Sequence, residues 1–419
     1  MTAGKRTGLV ARARAALRRL LGRPHQDWAG PDVAAELARG AAPIARDDRH
    51  EVVWLGGEGD REAEALRRAL AESGHRVFAV GVDARLRPGA VEVRESAPRL
   101  LEVRLRAGDD FEALERLRRG HSLGATVAVA SGDPSWSGLA ERFRAERGWP
   151  LIAAADATSP EALANAFPLV SIVIVTYGNR DVNALCLESL FARTEWPRHE
   201  VIVVDNGSSD GTPALLEGLA RARPDLDVVA LPENRGFPAA CNLGLARAKG
   251  DVLVLLNNDT VLTRGWLTAL VRHLTTEPRL GLVGPVTNAI ANEAKVDVGY
   301  RDLGGLADWA SDWTSAHDLE TFPISMLAFF CVAMRRDVFE AVGPLDERFG
   351  LGLFEDGDYN RRVRALGLET RVARDAFVHH WQNTSFRRLG REAYLALYAE
   401  NKRRFEEKWG KAPGPAARR

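Results

Sequence analysis

The chain carries no surplus of either charge, with 57 Lys and Arg against 57 Asp and Glu in 419 residues. A molecule without net bias is poorly suited to following a polyanion, which argues against nucleic-acid binding as its main role. It also lacks a long apolar run. The longest, 324–334, contains Ser325 and falls far short of the ~20 residues that a spanning helix needs. The basic start is not followed by an uninterrupted apolar core, so no secretory leader is expected. Cysteine is scarce. Cys186, Cys241 and Cys331 lie far apart in apolar surroundings, which reads as three buried thiols in a reducing compartment, not as a disulfide framework or a metal set. There is no internal repeat and no long low-complexity stretch. What is present is 46% hydrophobic and 27% charged, which fits a globular protein long enough for two or three cores.

Four apolar runs, 170–175, 200–204, 228–231 and 251–256, alternate with helical patterning at 181–192, 212–222 and 238–248. Strand alternating with helix implies a parallel sheet, and near-continuous apolar strands imply burial on both faces. Each run stops at a polar group: Thr176-Tyr177, Asp205, Asn234-Arg235 and Asn257-Asn258-Asp259. In such a sheet the carboxyl ends share one edge, and ligands bind outside it at the switch in strand order. Four polar strand ends in succession predict a built site.

Around this unit the chain divides into four. Residues 1–45 form a basic, partly helical segment in which Leu9, Val10, Ala13, Ala16, Leu17, Leu20 and Leu21 recur at helical spacing among arginines. Such a helix either lies on an anionic membrane surface, as a peripheral contact, or is solvated or packed on a partner. Residues 50–165 predict a smaller Rossmann-like α/β domain, with strands at 52–55, 76–81, 127–130 and 151–154 and helices at 62–73, 111–119 and 137–147. Gly57-Glu58-Gly59 follows its first strand and Asp83 ends its second, but Glu62 stands where a dinucleotide fingerprint needs glycine. A tight turn in a scaffold or acceptor-binding domain is the reading preferred there. Residues 168–389 hold the second domain. A C-terminal helix and tail follow at 390–419, with Tyr394, Leu397, Phe405 and Trp409 as packing residues.

Four clusters carry chemistry. Asp205 ends a strand ahead of Asn206-Gly207-Ser208-Ser209-Asp210-Gly211; the turn accounts for its neighbours but does not need a carboxylate beside Val204. Asp259 ends another strand, where a diphosphate could approach only through a divalent cation. The alternative for Asp259 is an Asx turn. Glu355, Asp356 and Asp358 open a helix; capping explains one or two of them, and a dipole-stabilised Asp stays ionised, as a general base must. His379 and His380 are adjacent and point opposite ways on a strand, so at most one of them reaches a common site.

The ordered series is familiar. Residues 169–386, about half the chain, resemble family 2 glycosyltransferases of the rhamnosyltransferase-like branch. The matching pieces are Val170-Ser171-Ile172-Val173-Ile174-Val175-Thr176-Tyr177, Val204-Asp205-Asn206-Gly207-Ser208-Ser209-Asp210-Gly211-Thr212 and Glu233-Asn234-Arg235-Gly236-Phe237. They continue with Asn257-Asn258-Asp259, Gly343-Pro344-Leu345-Asp346-Glu347-Arg348-Phe349 and Glu355-Asp356-Gly357-Asp358. The resemblance implies a GT-A fold, a nucleotide-binding parallel half in a mixed sheet joined to an acceptor-binding half. It implies that Thr176, Tyr177 and Asp205 surround the base and ribose of a nucleotide-diphosphate sugar. Asn234 and Arg235 would lie near its phosphates. Asn257-Asn258-Asp259 matches the acidic metal motif, with Asp259 as ligand to Mg²⁺ or Mn²⁺, although its first acid is Asn257 here. Asp356 matches the catalytic base, with Glu355 and Asp358 on the acceptor side, and His380 matches the late metal-site histidine better than His379. The implied activity is inverting transfer to a glycan or lipid-linked acceptor, in the cytoplasm or peripherally at the inner face of the plasma membrane.

Two rival readings stay open. A sugar nucleotidyltransferase would need a Gly-rich basic loop after the first strand; Thr176-Tyr177-Gly178-Asn179-Arg180 has too little glycine to wrap a triphosphate. A catalytically inactive nucleotide-sugar-binding scaffold would not need Asp205, Asp259, Asp356 and His380 together.

Overall fold

The structure, a computed structural model, describes residues 51–410 apart from short stretches, the longest being 106–125 and 382–389. The apolar stripe within 1–45, the Gly57-Glu58-Gly59 turn, Asp83 and the helix expected over 111–119 fall outside the described residues.

The first sheet contains β1 (Glu51–Leu55), β2 (Arg76–Val82), β3 (Val91–Ala97), β4 (Leu100–Leu105), β5 (Thr126–Ala130) and β6 (Leu151–Ala153). Its order is β3-β4-β2-β1-β5-β6, and every pairing is parallel except β3 with β4. Helix α1 (Arg61–Glu72) follows β1, and α2 (Pro134–Arg147) follows β5. Val52 and Trp54 share a cluster with Ala63, Leu70 and Ala71 of α1, while Val53 and Leu55 share another with Ala140 of α2. Period-two alternation with both faces covered explains the unbroken apolar run of β1. Strands β3 and β4 have no counterpart among the expected elements. Glu92, Arg94 and Glu95 are exposed, so β3 is a charged edge strand without the apolar signature of its neighbours.

The second sheet contains β7 (Val170–Thr176), β8 (His199–Asp205), β9 (Leu226–Ala230), β10 (Val252–Asn257), β11 (Thr260–Leu262), β12 (Leu280–Val286), β13 (Thr321–Pro323), β14 (Cys331–Arg335) and β15 (Glu369–His380). Their order is β11-β15-β12-β14-β10-β7-β8-β9, with β13 on β15. Strands β10, β7, β8 and β9 are mutually parallel, and β14 enters antiparallel between β10 and β12. A parallel half joined to a mixed half is the α/β architecture that the resemblance implies.

The connecting helices are α3 (Arg180–Arg193), α4 (Thr212–Ala222), α5 (Phe237–Arg247), α6 (Trp266–Thr276), α7 (Leu306–Ala316), α8 (Arg336–Val342), α9 (Glu355–Ala365) and α10 (Arg391–Trp409). On one face of the parallel half, Ile172, Ile174, Val201, Val203, Val254 and Leu256 pack with Leu187 and Leu190 of α3 and Leu215 and Leu219 of α4. On the other, Val173, Val175, Ile202, Val204, Leu253 and Leu255 pack with Ala240, Cys241 and Leu245 of α5. Each such fully buried aliphatic side chain contributes roughly 1.5–3 kcal/mol. Helix α5 sits so close that a Cβ on Gly244 would meet Val173 Cγ1 at 2.3 Å.

Strand β15 does the most to shape the site. It pairs with β12 and β13 over its first half, then, past a register shift at Pro285/Val286, runs on to pair with β11. This sets His380 directly opposite Thr260 and hence beside Asp259. The three cysteines are buried and free, as expected.

Candidate active site

The parallel strands deliver their polar ends to one edge. Tyr177 follows β7, Asn206 follows β8, Asn234 follows β9 and Asn257-Asn258-Asp259 close β10. All of these line a cavity of about 1020 Å³, together with Glu355 and Asp356 from the start of α9 and His380 from the end of β15. Side chains up to two hundred positions apart in sequence therefore share one space.

Not every expected residue lines it. Thr176 is buried behind the edge and donates to Asp205 Oδ1 at 2.9 Å, and Ser208 Oγ donates to the same oxygen. Asp205 thus orders the turn that follows it. Arg235 is exposed on the turn after β9, outside the cavity lining. Asp358 is displaced further. Its carboxylate is fully buried, accepts from Arg362 at 2.9 Å and Trp409 Nε1 at 2.7 Å, and pairs with Lys408 at 2.6 Å. Two residues along a helix is about 200°, so Asp358 faces away from Asp356.

The turn after β9 is built around Asn206, which the sequence reading treats only as a turn residue. Asn206 Nδ2 donates to Asn234 Oδ1 at 2.9 Å and to the Gly236 carbonyl at 3.2 Å, while its Oδ1 accepts from Arg235 N at 2.9 Å. Gly236 has φ of 89°, and a Cβ there would meet the Gly350 carbonyl oxygen at 2.1 Å. The strand-end turns and the loop before α9 are therefore in direct backbone contact. Asn258 Nδ2 donates to Asn183 Oδ1 at 2.5 Å, which leaves Asn257 as the freer amide of that pair to face the cavity.

Beside the last of these strand ends, His380 Nε2 lies 3.2 Å from Asp259 Oδ1. The Nδ1 of His380 lies 3.0 Å from the Ala289 carbonyl, which can only accept, so Nδ1 carries the proton. In the neutral ring Nε2 then presents a lone pair toward a carboxylate. Two lone-pair groups turned toward each other suit a divalent cation, and a carbonyl-anchored imidazole is a common way to orient a ligand. Stacking on Phe330, with ring centroids 5.0 Å apart, holds the ring further. His379 faces the other way, with Nδ1 2.6 Å from Tyr300 Oη, and burial and its neighbour His380 push it down to about 4, so it stays neutral. Among the described residues there is no group of three or more His, Cys, Asp or Glu that could hold a metal ion.

Glu355 and Asp356 form the third element. Burial raises both above the ordinary carboxylate range, and the charge of Asp356 raises Glu355 further. The two are not equivalent. Asp356 Oδ1 accepts from Gly357 N at 2.7 Å in the first turn of α9, whereas Glu355 Oε2 is buried without a hydrogen-bond partner. Asp356 is therefore the first of the two to ionise. The loop feeding α9 has positive φ at Gly350, Gly352, Leu353 and Phe354. For Leu and Phe that conformation costs of order 1–3 kcal/mol each. Arg361 and Arg364 also line the cavity, and its rim is apolar, with Met326, Leu351 and Tyr398 each about 41–42% exposed.

Residues 171–343 match the family model described as Glycosyl transferase family 2. This segment is a family 2 glycosyltransferase domain. Among curated relatives, the O-antigen biosynthesis protein RfbC of Myxococcus xanthus is 28% identical over 311 residues, 67% of this chain and 23% of that one. The N-acetylglucosaminyl-diphospho-decaprenol L-rhamnosyltransferase of Mycobacterium tuberculosis is 26% identical over 260 residues, 56% of this chain and 82% of that one. The chain thus spans under a quarter of the length of the Myxococcus relative. One solved structure, of GalNAc-T7 with UDP, GalNAc and Mn²⁺, aligns with a TM-score of 0.45 at 17% identity, covering 58% of this chain and 49% of that one. The matched segment of the glycosyltransferase domain ends before Glu355, Asp356 and His380, whose case rests on geometry.

Proposed function

We propose that this chain transfers a sugar from a nucleotide-diphosphate sugar to a hydroxyl of a glycan or lipid-linked acceptor, with inversion at the anomeric carbon. The observation that carries the reading is that one cavity is lined by Asp259, His380, Glu355 and Asp356 together. Tyr177, Asn206, Asn234 and Asn257 are the donor contacts in this reading. Thr176 and Asp205 stand behind them and keep the edge in shape, and Arg235 meets phosphate from the exposed turn. Asn258 and Asn183 brace each other beneath.

Asp259 and His380 would hold Mg²⁺ or Mn²⁺, which when bound supplies positive charge against the departing diphosphate. Asp356 accepts the proton of the acceptor hydroxyl. The freed oxygen bonds to the anomeric carbon, the bond from that carbon to the diphosphate breaks on the opposite side, and the electron pair leaves with the diphosphate. Glu355 keeps its proton while Asp356 is ionised, because two adjacent carboxylates sharing one cavity do not both ionise readily. Holding donor and acceptor together accounts for much of the remaining acceleration. The Mycobacterium relative is named for an amphiphilic acceptor, N-acetylglucosaminyl-diphospho-decaprenol. The apolar rim at Met326, Leu351 and Tyr398, with Arg361 and Arg364 nearby, supports an acceptor of that kind.

The division into 1–45, 50–165, 168–389 and 390–419 belongs to the same proposal, as does a peripheral position at the inner face of the plasma membrane. No helix among the described residues is long and apolar enough to cross a membrane. Thermal-shift screening of nucleotide sugars with Mg²⁺ or Mn²⁺, followed by transfer assays on the stabilising donors, tests the reading. Pyrophosphate release from a sugar-1-phosphate and a nucleoside triphosphate, without sugar transfer, would replace it with the nucleotidyltransferase rival.

A further inference from the structure

Asn401 sits in the middle of α10 and is completely buried, although most of that helix is exposed. Its amide nitrogen donates to the carbonyls of Phe349 and Gly352, both at 2.7 Å, and approaches that of Leu353 at 3.3 Å. Its amide oxygen accepts from Arg404 at 3.1 Å, and Arg404 also donates to the Arg348 carbonyl, which fixes the orientation of the amide. The carbonyls it serves belong to the loop with positive φ at Gly350, Gly352, Leu353 and Phe354. Within the loop Gly352 N donates to the Phe349 carbonyl at 3.1 Å, so Asn401 adds a second donor there, while at the Gly352 carbonyl Asn401 supplies the donor that a buried backbone acceptor needs. The two residues that follow are Glu355 and Asp356.

We propose that Asn401 is a positioning residue for Asp356. By satisfying the carbonyls of Phe349 and Gly352 it locks the left-handed loop, and the loop sets the first turn of α9 at the cavity. Asn401 touches neither donor nor acceptor. The proposal rests on the reading of Asp356 as base given above. Helix α10 is anchored separately through Lys408, whose Nζ lies 2.6 Å from both Asp346 and Asp358, and through Trp409, whose Nε1 donates to Asp358. The Asp358 contacts hold α9 itself and the Asp346 contact holds the chain ahead of the loop, so loss of the Asn401 amide frees the loop without undocking α10.

The test compares full-length wild type, Asn401→Leu and Asn401→Asp by steady-state transfer and by amide hydrogen exchange. Leu keeps the branching and the number of side-chain heavy atoms and removes the donor. Asp sets an acceptor against the carbonyls unless it is protonated. The expected result is a fall in kcat of about a hundredfold in Asn401→Leu, as for a displacement of roughly 1 Å, with donor KM scarcely changed. Exchange at 349–356 should rise while β7, β8 and β10 keep their protection. In Asn401→Asp, protection of that loop should return on acidification, after correction for the intrinsic rate, and in Asn401→Leu it should not. Wild-type kcat together with wild-type exchange at 349–356 in Asn401→Leu would overturn the proposal, and so would a loss of protection spread evenly over the β-sheet. If Asp356→Asn turns over normally, the base assignment fails; the exchange data still judge the clamp on the loop.

Discussion

Replacing Asp356 by Asn separates catalysis from stability, and the two should move in opposite directions. Asn keeps the Oδ1 acceptor that binds Gly357 N, so the first turn of α9 survives. What is lost is the basic lone pair. A positioned general base contributes typically 10²–10⁴-fold, equivalent to ~2.7–5.5 kcal/mol of transition-state stabilisation at ~1.36 kcal/mol per tenfold. Transfer of radiolabelled sugar should fall by that factor, while donor affinity measured by titration calorimetry with metal present stays near wild type. Stability behaves differently. Burial raises Asp356 above its unfolded value, so the folded state holds a proton that the unfolded state has released. Stability therefore falls as pH rises from the unfolded pKa, about 4, through the raised folded value, and above that the penalty is complete. Asn removes the penalty and relieves Glu355 of a neighbouring charge. Each unit of elevation corresponds to ~1.4 kcal/mol, and each kcal/mol moves Tm by about 2–4 °C in a domain of this size. The variant should melt higher than wild type at pH 8 and match it near pH 4. A variant that keeps its turnover, or that melts lower at pH 8, would refute the argument.

Three further outcomes follow from the same geometry. The wild-type transfer rate should climb with pH through a midpoint above the ordinary Asp value of ~3.9, and Glu355→Gln should scarcely move that midpoint, because Glu355 is still protonated when Asp356 ionises. A large shift in the pH–rate profile of Glu355→Gln would instead make Glu355 the titrating base. Asp259→Ala and His380→Ala should each weaken Mn²⁺-dependent nucleotide binding by at least roughly tenfold, as loss of metal-site contacts typically does, with little effect on binding measured in chelator; equal losses with and without metal would detach the pair from the cation. Gly236→Ala should lower Tm, because φ is 89° and the new Cβ would meet the Gly350 carbonyl oxygen at 2.1 Å; strain of order 1–3 kcal/mol is the expected scale, and an unchanged melt would mean that the loop before α9 yields freely.

Much of the parallel half is legible in the sequence, since β7, β8 and β10 lie within a residue or two of the expected runs and α4 coincides with its expected span. The reason is physical: strands covered on both faces must be apolar throughout, and few other folded environments demand so short and continuous an apolar run. Edge strand β3 escapes for the converse reason, with a charged sequence and one open side. The antiparallel entry of β14 and the long run of β15 from β12 to β11 are non-local pairings that no local pattern encodes. Residue types at strand ends point to the cavity, but not to which atoms enter it. Asp205 spends its carboxylate on Thr176 and Ser208, and Asp358 turns toward Lys408 and Trp409. Period-two geometry does separate the histidines, and His380 is the one beside Asp259. In α10, Phe405 is buried as expected, whereas Tyr394, Leu397 and Trp409 are only half-buried. Asn401 carries no sequence signal, because a lone amide in a charged helix looks like any solvated residue.

The anomeric configuration of the transferred sugar, read by NMR on the product formed with the donor selected in the thermal-shift screen, bears most directly on whether Asp356 and the Asp259–His380 pair act across one cavity. One base activating the acceptor opposite the departing diphosphate requires inversion relative to the donor. Retained configuration would mean that the sugar passes through a second displacement for which this arrangement of residues provides no role.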